Sequence, residues 1–241
     1  EPLNKDRICL GHRGVWWAEI ETKGQIAHGS MPFLGDSAVR HMGAVLGAFE
    51  EELFPALDRK QTRMPVVPEG ARRSTMNINS VHGGQTDDYF PGLPSPNVPD
   101  SCKIVIDRRF LLEEGLDEVK AEVTSILDRL KWERPRFDYR MRDMMIVHPG
   151  MTDEDAPVPR AIASGIRRVF GRDPQYVISP GTYDQKHIAR IGKLHDCVAY
   201  GPGILDLAHR PDEWVGIADM VESAKVMAHG LDVLLRDNPS G

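Results

Sequence analysis

The chain has 241 residues, an apolar fraction of 41% and a formal net charge of −6 at pH 7. That length accommodates one large domain or two modest ones, and the acidic balance excludes a global basic field for nucleic acid. The sequence contains neither a run long enough to span a membrane nor a visible signal peptide. Cys9, Cys102 and Cys197 have neither disulfide-framework nor zinc-ribbon spacing, which is typical of a reducing compartment. We therefore expect a cytoplasmic protein without nucleic-acid or membrane partners.

The first half of the chain predicts an α+β module. Period-two alternation predicts strands over Gly14–Thr22, Ser74–His82, Ser101–Arg109 and Arg136–Met144. Apolar residues at helical spacing predict one helix from Val39 to Leu53, ended by Pro55, and another from Leu116 to Leu130. The order strand–helix–strand–strand–helix–strand predicts a ferredoxin-like domain with one antiparallel sheet and two helices on one face.

A long segment interrupts this module between the second and third predicted strands. Residues Gln85–Pro99 contain four prolines and the aromatic pair Tyr89 and Phe90. A segment of this size is too long for a simple turn. Two interpretations stay open, a lid or contact element and a mobile ornament.

The second half of the chain predicts an α/β arrangement. Helices are predicted up to Phe170, over Gln185–Arg190, and along an apolar stripe from Ile217 to Leu234, with short strands at Tyr176–Ser179 and Cys197–Tyr200. Alternating helices and short apolar strands favour a parallel sheet. Because two strands do not form a stable, doubly covered sheet, this domain is predicted to be incomplete in the chain.

Three motifs occur in a fixed order. The first is GQIAHGSMPFLG over Gly24–Gly35, the second is Asn97–Asp100 with Arg109 ten residues after its proline, and the third spans Gly201–Glu213 and contains His209. Together they resemble the metal-dependent amidohydrolase and peptidase family of acetylornithine deacetylase, succinyl-diaminopimelate desuccinylase and aminoacylase. The resemblance covers nearly the whole chain, as the C-terminal part of such an enzyme.

The resemblance implies a zinc-peptidase-like α/β catalytic domain interrupted by a smaller lid domain that dimerises. Residues 1–12 are then the end of an N-terminal catalytic segment, 13–145 the lid, and 146–241 the C-terminal segment of the catalytic domain. The family carries two zinc ions, with cobalt or manganese as alternatives. The implied partners are a second copy of the chain, bound through the lid, and a small carboxylate-bearing substrate.

The resemblance also implies two metal ligands, His209 and Glu1. Because even one zinc ion requires at least three protein ligands, these two cannot hold a catalytic metal pair. The remaining ligands and the general base are therefore expected in an N-terminal part outside this chain.

The other implied site residues belong to substrate binding and catalysis. In the family, the counterpart of His28 reaches the partner subunit's active site and donates to the oxygen of the tetrahedral intermediate. Arg109 is implied to bind the substrate carboxylate with its planar fork, while Arg108 is predicted to be structural; a one-residue register slip exchanges them. The remaining substrate-binding candidates are Asn97, Gly181 and Thr182.

These expectations define a metal-dependent hydrolase that cleaves an amide (N-acyl) or related C–N bond, in the manner of a deacetylase or desuccinylase. One alternative on the same fold is a hydrolytic deaminase of an amino-substituted aromatic acid. Another, from a different class, is a non-catalytic dimerisation or binding module.

Overall fold

A computed structural model of the chain describes residues 4–84, 86–87, 90–94, 96–208 and 210–237, with the backbone alone for 86–87, 90–94 and 237. The strands are β1 Arg7–His12, β2 Gly14–Lys23, β3 Thr75–Gly83, β4 Thr86–Asp87, β5 Phe90–Pro94, β6 Ser101–Phe110, β7 Asp138–Val147, β8 Gly150–Met151 and β9 Gln175–Ser179. The α-helices are α1 Ala38–Ala48, α2 Phe54–Asp58, α3 Leu116–Glu133, α4 Pro157–Phe170, α5 Gln185–Arg190 and α6 Ile217–Asp237. None of the helices described is long and apolar enough to cross a membrane.

The chain divides into two compact units. Unit 1 comprises Glu1–Arg13, Thr62–Arg72 and His148–Gly241, and unit 2 comprises Gly14–Gln61 and Arg73–Val147. The lid was predicted as one continuous stretch over 13–145, whereas the compact unit 2 leaves out 62–72, which belongs to unit 1. Within unit 1, the backbone N–H of Ile178 donates to the carbonyl of Pro65 at 2.8 Å, and Val66 is buried. Local sequence gives no sign of this excursion, because the contacts that hold it are distant in the chain.

Unit 2 confirms the predicted ferredoxin-like arrangement. Its antiparallel sheet has the strand order β3-β6-β2-β7. Inward residues of the sheet form one core with the helical residues, centred on the fully buried Trp16, Ile20, Ile104, Phe49 and Leu127. The alternation of large apolar and polar residues along β2 and β6 produces this one-sided burial.

The first helix of unit 2 continues past Pro55, where it was predicted to end. A π turn over Phe49–Leu53 joins α1 to α2, and the N–H of Phe54 donates to the carbonyl of Phe49. Pro55 therefore lies in the first turn of α2, where a missing N–H costs no helical hydrogen bond. The buried stripe runs through Leu57, whereas Val39, the first residue of the predicted apolar stripe, is 42% exposed.

The segment predicted as one irregular stretch from Gln85 to Pro99 contains a small hairpin. Strands β4 and β5 form a separate two-stranded antiparallel sheet. Tyr89 lies outside the described residues. The two interpretations of this segment stay predictions.

Unit 1 contains a three-stranded sheet in the order β8-β1-β9. Strand β1 runs parallel to β9 and antiparallel to β8. The sequence prediction missed β1, although Ile8, Cys9 and Leu10 are buried. The strand predicted over Cys197–Tyr200 is wrong, because this segment forms a single bridge between Ala199 and Cys9.

A buried ionic network links three parts of unit 2. The Arg108 side chain is 0% exposed, and it donates to Glu114 at 2.8 Å, to Glu122 at 3.1 Å and to the hydroxyl of Ser74. Lys60 donates to Glu114 at 2.9 Å. Burial by itself would raise the pKa of Glu114, but the charge of Arg108 and the hydrogen bonds to the carboxylate outweigh burial and lower it. The prediction that Arg108 is structural agrees with this placement.

Replacing Arg108 with methionine should lower the free energy of unfolding by about 3 kcal/mol, because Glu114 stays buried without its main partner. The matched variant Arg109→Met, whose ion pair is partly exposed, should cost about 1 kcal/mol or less. Since the pKa of Glu114 is lowered on folding, its contribution is present above the unfolded value of 4.5 and is lost as the pH falls below it. Urea unfolding at pH 7 and pH 3.5 measures both effects; equal losses for the two variants would contradict the network's role.

Candidate functional site

The His28 loop of unit 2 is fixed against the segment that contains Asn97. The residues His28 and Asn97 form an antiparallel bridge, flanked by bonds from Gly29 N to the Pro96 carbonyl and from Val98 N to the Ala27 carbonyl, both 2.7 Å. A Cβ atom on Gly29 would lie 2.5 Å from the Pro96 oxygen, so this approach requires glycine. The structure therefore brings two of the predicted site residues together.

Local contacts fix the tautomer of His28. The backbone N–H of Ser30 donates to Nδ1 of His28 at 3.2 Å, and the Ser30 hydroxyl lies 2.7 Å from the same nitrogen. Because a backbone N–H can only donate, Nδ1 is an acceptor and the ring proton of the neutral imidazole is on Nε2. The His28 side chain is exposed, so an N–H donor is presented outward on a constrained loop.

Arg109 lies on the face of the sheet that points away from the core, near the C-terminal end of β6. The His28 loop lies beside the N-terminal end of that strand. Its Nε and Nη2 donate to the two carboxylate oxygens of Asp107 at 2.6 and 2.9 Å. The register predicted from the sequence is observed, with Arg108 buried and Arg109 outward. A substrate carboxylate at Arg109 would meet a guanidinium already oriented by Asp107, and it would use the remaining donors on Nη1.

The two ends of β6 are too far apart for one small ligand to reach both. The backbone of Gly24, at the base of the His28 loop, bonds to Asp100 beside the start of β6, whereas Arg109 precedes the last residue of that strand. Eight residue steps separate Ser101 from Arg109, which is about 26 Å in an extended strand. Within one copy of unit 2, the structure therefore does not bring His28 and Arg109 together.

Unit 1 places Gly181 and Thr182 immediately after β9. The N–H of Gly181 donates to the Ser179 hydroxyl at 3.0 Å, and Lys186 donates to the Thr182 hydroxyl at 3.4 Å. The carboxyl ends of the parallel strands β1 and β9 meet here, an edge where α/β sheets bind ligands. The ring of Tyr183 packs on the cluster of Cys9, Val177 and Ala199.

Two polar residues at this edge were missed by the sequence prediction. Arg13 is buried and donates to the Pro180 carbonyl and the Ala71 carbonyl, both at 3.2 Å, so it holds the turn before Gly181. Burial lowers the pKa of the neighbouring His12, which is 1% exposed. A sequence signal for both residues was available, because the polar pair His12–Arg13 follows soon after the apolar residues Ile8–Leu10 of β1.

The predicted metal ligands Glu1 and His209 lie outside the described residues. Near them in sequence, the N–H of Asn4 donates to the Gly203 carbonyl at 2.7 Å. In the described part of the chain, no group of three or more His, Cys, Asp or Glu side chains is placed to hold a metal ion. Since one zinc ion needs at least three protein ligands, the described residues do not by themselves fit a catalytic metal centre.

Comparison with known sequences finds a family that matches part of this chain. The Peptidase dimerisation domain family matches residues 10–134. The chain is 25% identical over 222 residues to acetylornithine deacetylase of Myxococcus xanthus, covering 91% of this chain and 53% of that protein. It is 27% identical over 215 residues to succinyl-diaminopimelate desuccinylase of Marinobacter nauticus, covering 89% and 50%. The chain thus spans about half the length of the curated relatives it matches.

Solved structures show the same fold at low sequence identity. Human carnosine dipeptidase 1 superposes with a TM-score of 0.69 at 18% identity, over 97% of this chain and 56% of that one. An M20 family metallo-carboxypeptidase from Sulfolobus solfataricus gives a TM-score of 0.67 at 18% identity, over 95% and 60%.

The bonds to Nδ1 predict the protonation pattern of His28. Nitrogen-detected NMR at neutral pH should show Nδ1 unprotonated and Nε2 protonated, with the signal assigned by its loss in His28→Gln. Ser30→Ala removes one hydrogen bond worth about 1 kcal/mol, so the tautomer ratio should fall about fivefold, whereas Ser30→Thr keeps the hydroxyl and the ratio. A protonated Nδ1 in the unsubstituted protein would contradict the assignment.

Proposed function

The chain belongs to peptidase family M20, whose dimerisation domain it carries, and we propose that it forms part of a metal-dependent hydrolase of amide or related C–N bonds. The proposed substrate is a small molecule that bears a carboxylate. The names of two relatives, a deacetylase and a desuccinylase, support an N-acyl bond as the one cleaved. The observation that carries the proposal is the outward Nε2–H of His28 on a loop held by Ser30 and by the Asn97 segment.

His28 suits the role of an electrophilic hydrogen-bond donor. Hydrolysis of an acyl group passes through a tetrahedral intermediate whose oxygen carries negative charge. A preorganised N–H donor stabilises that charge without reorganisation at the moment of reaction, and in comparable sites one donor contributes about 3 kcal/mol. The neutral tautomer with the proton on Nε2 provides this donor.

Arg109 suits recognition of the substrate carboxylate. Its guanidinium is held by both oxygens of Asp107 and is 27% exposed, so it is oriented while part of it stays accessible. Because Asp107 also reduces the local positive charge, selection of a carboxylate depends on the fixed geometry of the guanidinium as well as on its charge. Gly181 and Thr182 of unit 1 are also proposed to bind substrate.

The separation along β6 supports an active site shared between two copies. A small substrate cannot contact His28 and Arg109 of the same copy across about 26 Å of strand. We therefore propose that His28 and Asn97 serve the active site of the partner, while Arg109 serves its own. The residues that complete the metal centre are proposed to lie outside the described part of this chain.

This arrangement predicts complementation between two inactive variants. In a protein that carries the complete metal centre, His28→Ala and Arg109→Ala should each lose most turnover of a panel of N-acetyl- and N-succinyl-amino acids. Co-expressed in equal amounts, they should recover about a quarter of the unsubstituted activity, because half of the two-fold dimers are mixed and each mixed dimer has one intact site.

The controls for complementation separate the possible arrangements. Metal content should be unchanged in both variants, and His28→Ala mixed with His28→Asn should recover nothing. If His28 and Arg109 came from the same chain, every site in the mixed dimer would lack one of them. An inactive mixture would therefore contradict the shared site.

The edge strand β3 is the better candidate for contact between two copies. Thr75–Gly83 contains no Asp, Glu, Lys or Arg, whereas the other edge strand, β7, contains Asp138, Arg140, Arg142 and Asp143. Charges on an edge strand oppose pairing with another strand, and an uncharged edge permits it. We therefore propose that β3 pairs with its counterpart about a two-fold axis, which would extend the sheet across both copies.

Substitutions on the two edges test this assignment. Val81 on β3 is 53% exposed and Met144 on β7 is 48% exposed, so neither change to aspartate should disturb the core. Val81→Asp should convert the dimer to a monomer at micromolar concentration, and Met144→Asp should leave it intact. Light scattering coupled to gel filtration measures this; dissociation by Met144→Asp alone would place the interface on β7.

A further inference from the structure

The outer face of the unit 2 sheet, the face that points away from the core, carries a tryptophan beside Arg109. Trp17 of β2 pairs directly with Asp107 of β6, and Arg109 lies two residues further along β6. Directly paired residues of an antiparallel sheet project to the same face, as do residues two apart on one strand. Trp17 and Arg109 are therefore diagonal neighbours with Cβ atoms about 7 Å apart, within reach of long side chains.

Apolar side chains continue from Trp17 across the same end of the sheet. Met145 of β7 pairs with Trp17, while Val147 of β7 pairs with Val15, which also pairs with Arg109. Met145 is 38% exposed and Trp17 is partly buried, so both have surface available to a ligand, whereas Val15 is buried. We call Trp17, Met145 and Val147 the platform.

Charged residues bound the platform on the side away from the C-terminal end of β6. The carboxylate of Glu19, the next residue of β2 on this face, lies 3.7 Å from the Lys103 ammonium and 3.5 Å from the Arg142 guanidinium. Further along β2, Glu21 bonds to Lys23 at 2.7 Å. The outer face is thus apolar at the end where the oriented guanidinium lies, and charged and paired at the other end.

The indole of Trp17 has interactions left to make. In the described part of the chain, its Nε1–H is buried without a hydrogen-bond partner, and no ring or cation stacks on it. The neighbouring Trp16 differs in both respects, because its Nε1 donates to Asp143 and the Lys120 ammonium lies 5.8 Å from the centre of its ring. A large aromatic side chain on the outer face, without a stacking partner of its own, is suited to stack on the ring of a ligand.

Arg109 determines which ligand fits beside this platform. Asp107 accepts from its Nε and Nη2 at 2.6 and 2.9 Å, so Nη1 retains its donors for a carboxylate. A carboxylate held there places the group that carries it beside Trp17. We propose that the carboxylate-bearing half of the substrate contains an aromatic ring, as in an aromatic amino acid, and that Trp17 sets this specificity by stacking on the ring. The inference rests on the role proposed above for Arg109.

Charged substrates fit this end of the sheet less well. A second carboxylate would need a further cation, and Lys103 and Arg142 on this face already lie beside Glu19. An ammonium group would meet Asp107, whose two oxygens accept from Arg109. An aromatic group uses the platform fully, because it buries apolar area and also stacks on the indole.

Binding of small carboxylates to the 241-residue chain tests the platform without a catalytic step. The ligands are 3-phenylpropanoate, 3-cyclohexylpropanoate as a carboxylate of similar size without an aromatic ring, and propanoate. NMR titration follows the Nε1–H signal of Trp17, which is assigned by its loss in Trp17→Phe. 3-Phenylpropanoate should shift this signal and bind about threefold more tightly than 3-cyclohexylpropanoate and about tenfold or more than propanoate. Equal affinity for the two ring compounds, or an unshifted Trp17 signal, would overturn the proposal.

Substitutions at two tryptophans provide a matched comparison. Trp17→Leu keeps an apolar side chain without a ring and should weaken binding of 3-phenylpropanoate about tenfold, whereas Trp17→Phe keeps a ring and should stay within about threefold. The control Trp132→Leu removes an indole that is 90% exposed on α3 and should leave binding unchanged. Circular dichroism shows whether each variant is folded. Unchanged binding in folded Trp17→Leu would contradict the role of Trp17; if that variant does not fold, the result for Trp17→Phe and the ligand comparison decide.

Turnover separates this inference from the proposed function. In a protein that carries the complete metal centre, kcat/KM for N-acetylphenylalanine should exceed that for N-acetylalanine about tenfold or more. Trp17→Leu should remove most of that ratio, and Trp132→Leu should preserve it. Equal kcat/KM for the two substrates would overturn this inference and leave the proposed function intact. Binding of 3-phenylpropanoate at Trp17, without hydrolysis of any N-acyl amino acid, would overturn the proposed function and leave the platform as a binding site.

Discussion

The antiparallel pairing of β2 with β6 determines where the proposed site residues of unit 2 lie. Ten consecutive residue pairs join the two strands, from Gly14 opposite Phe110 to Lys23 opposite Ser101. A slip by one residue would exchange the two faces of β6, place Arg109 in the core and expose Arg108. In the observed register the buried guanidinium of Arg108 meets Glu114, and Arg109 pairs with Asp107 on the other face.

The same pairing separates the two proposed site residues, His28 and Arg109, by the length of a strand. The His28 loop follows the end of β2 and contacts the chain just before β6, while Arg109 lies near the other end of β6. A rigid sheet cannot bring these ends together, so the proposed use of both residues by one small substrate would require two copies. The proposed dimer thus follows from strand length and from the size of a small substrate, and the family's dimerisation domain supports it.

Unit 1 poses a different physical problem, since its last helix exposes its apolar side. Close contact with Gly165 of α4 and ion pairs to Lys5 use the inner side of α6. The helix therefore cannot rotate to bury its exposed apolar residues, such as Met220, Leu231 and Leu235, without leaving charges unpaired. This orientation is stable in water only at the cost of a hydrated apolar surface. It becomes favourable when a further apolar layer covers that surface.

The sequence by itself determined the elements whose patterns are local and strong. Alternation along β2 and β6 and helical periodicity in α3 predicted the ferredoxin-like unit, and three motifs indicated the family. The tertiary structure alone decided that 62–72 belongs to unit 1, that the helix continues past Pro55, and that Cys197–Tyr200 forms one bridge instead of a strand. It also decided that the apolar stripe of α6 faces outward. Periodicity shows that a helix has an apolar side, but which neighbour covers that side depends on contacts between segments far apart in the chain.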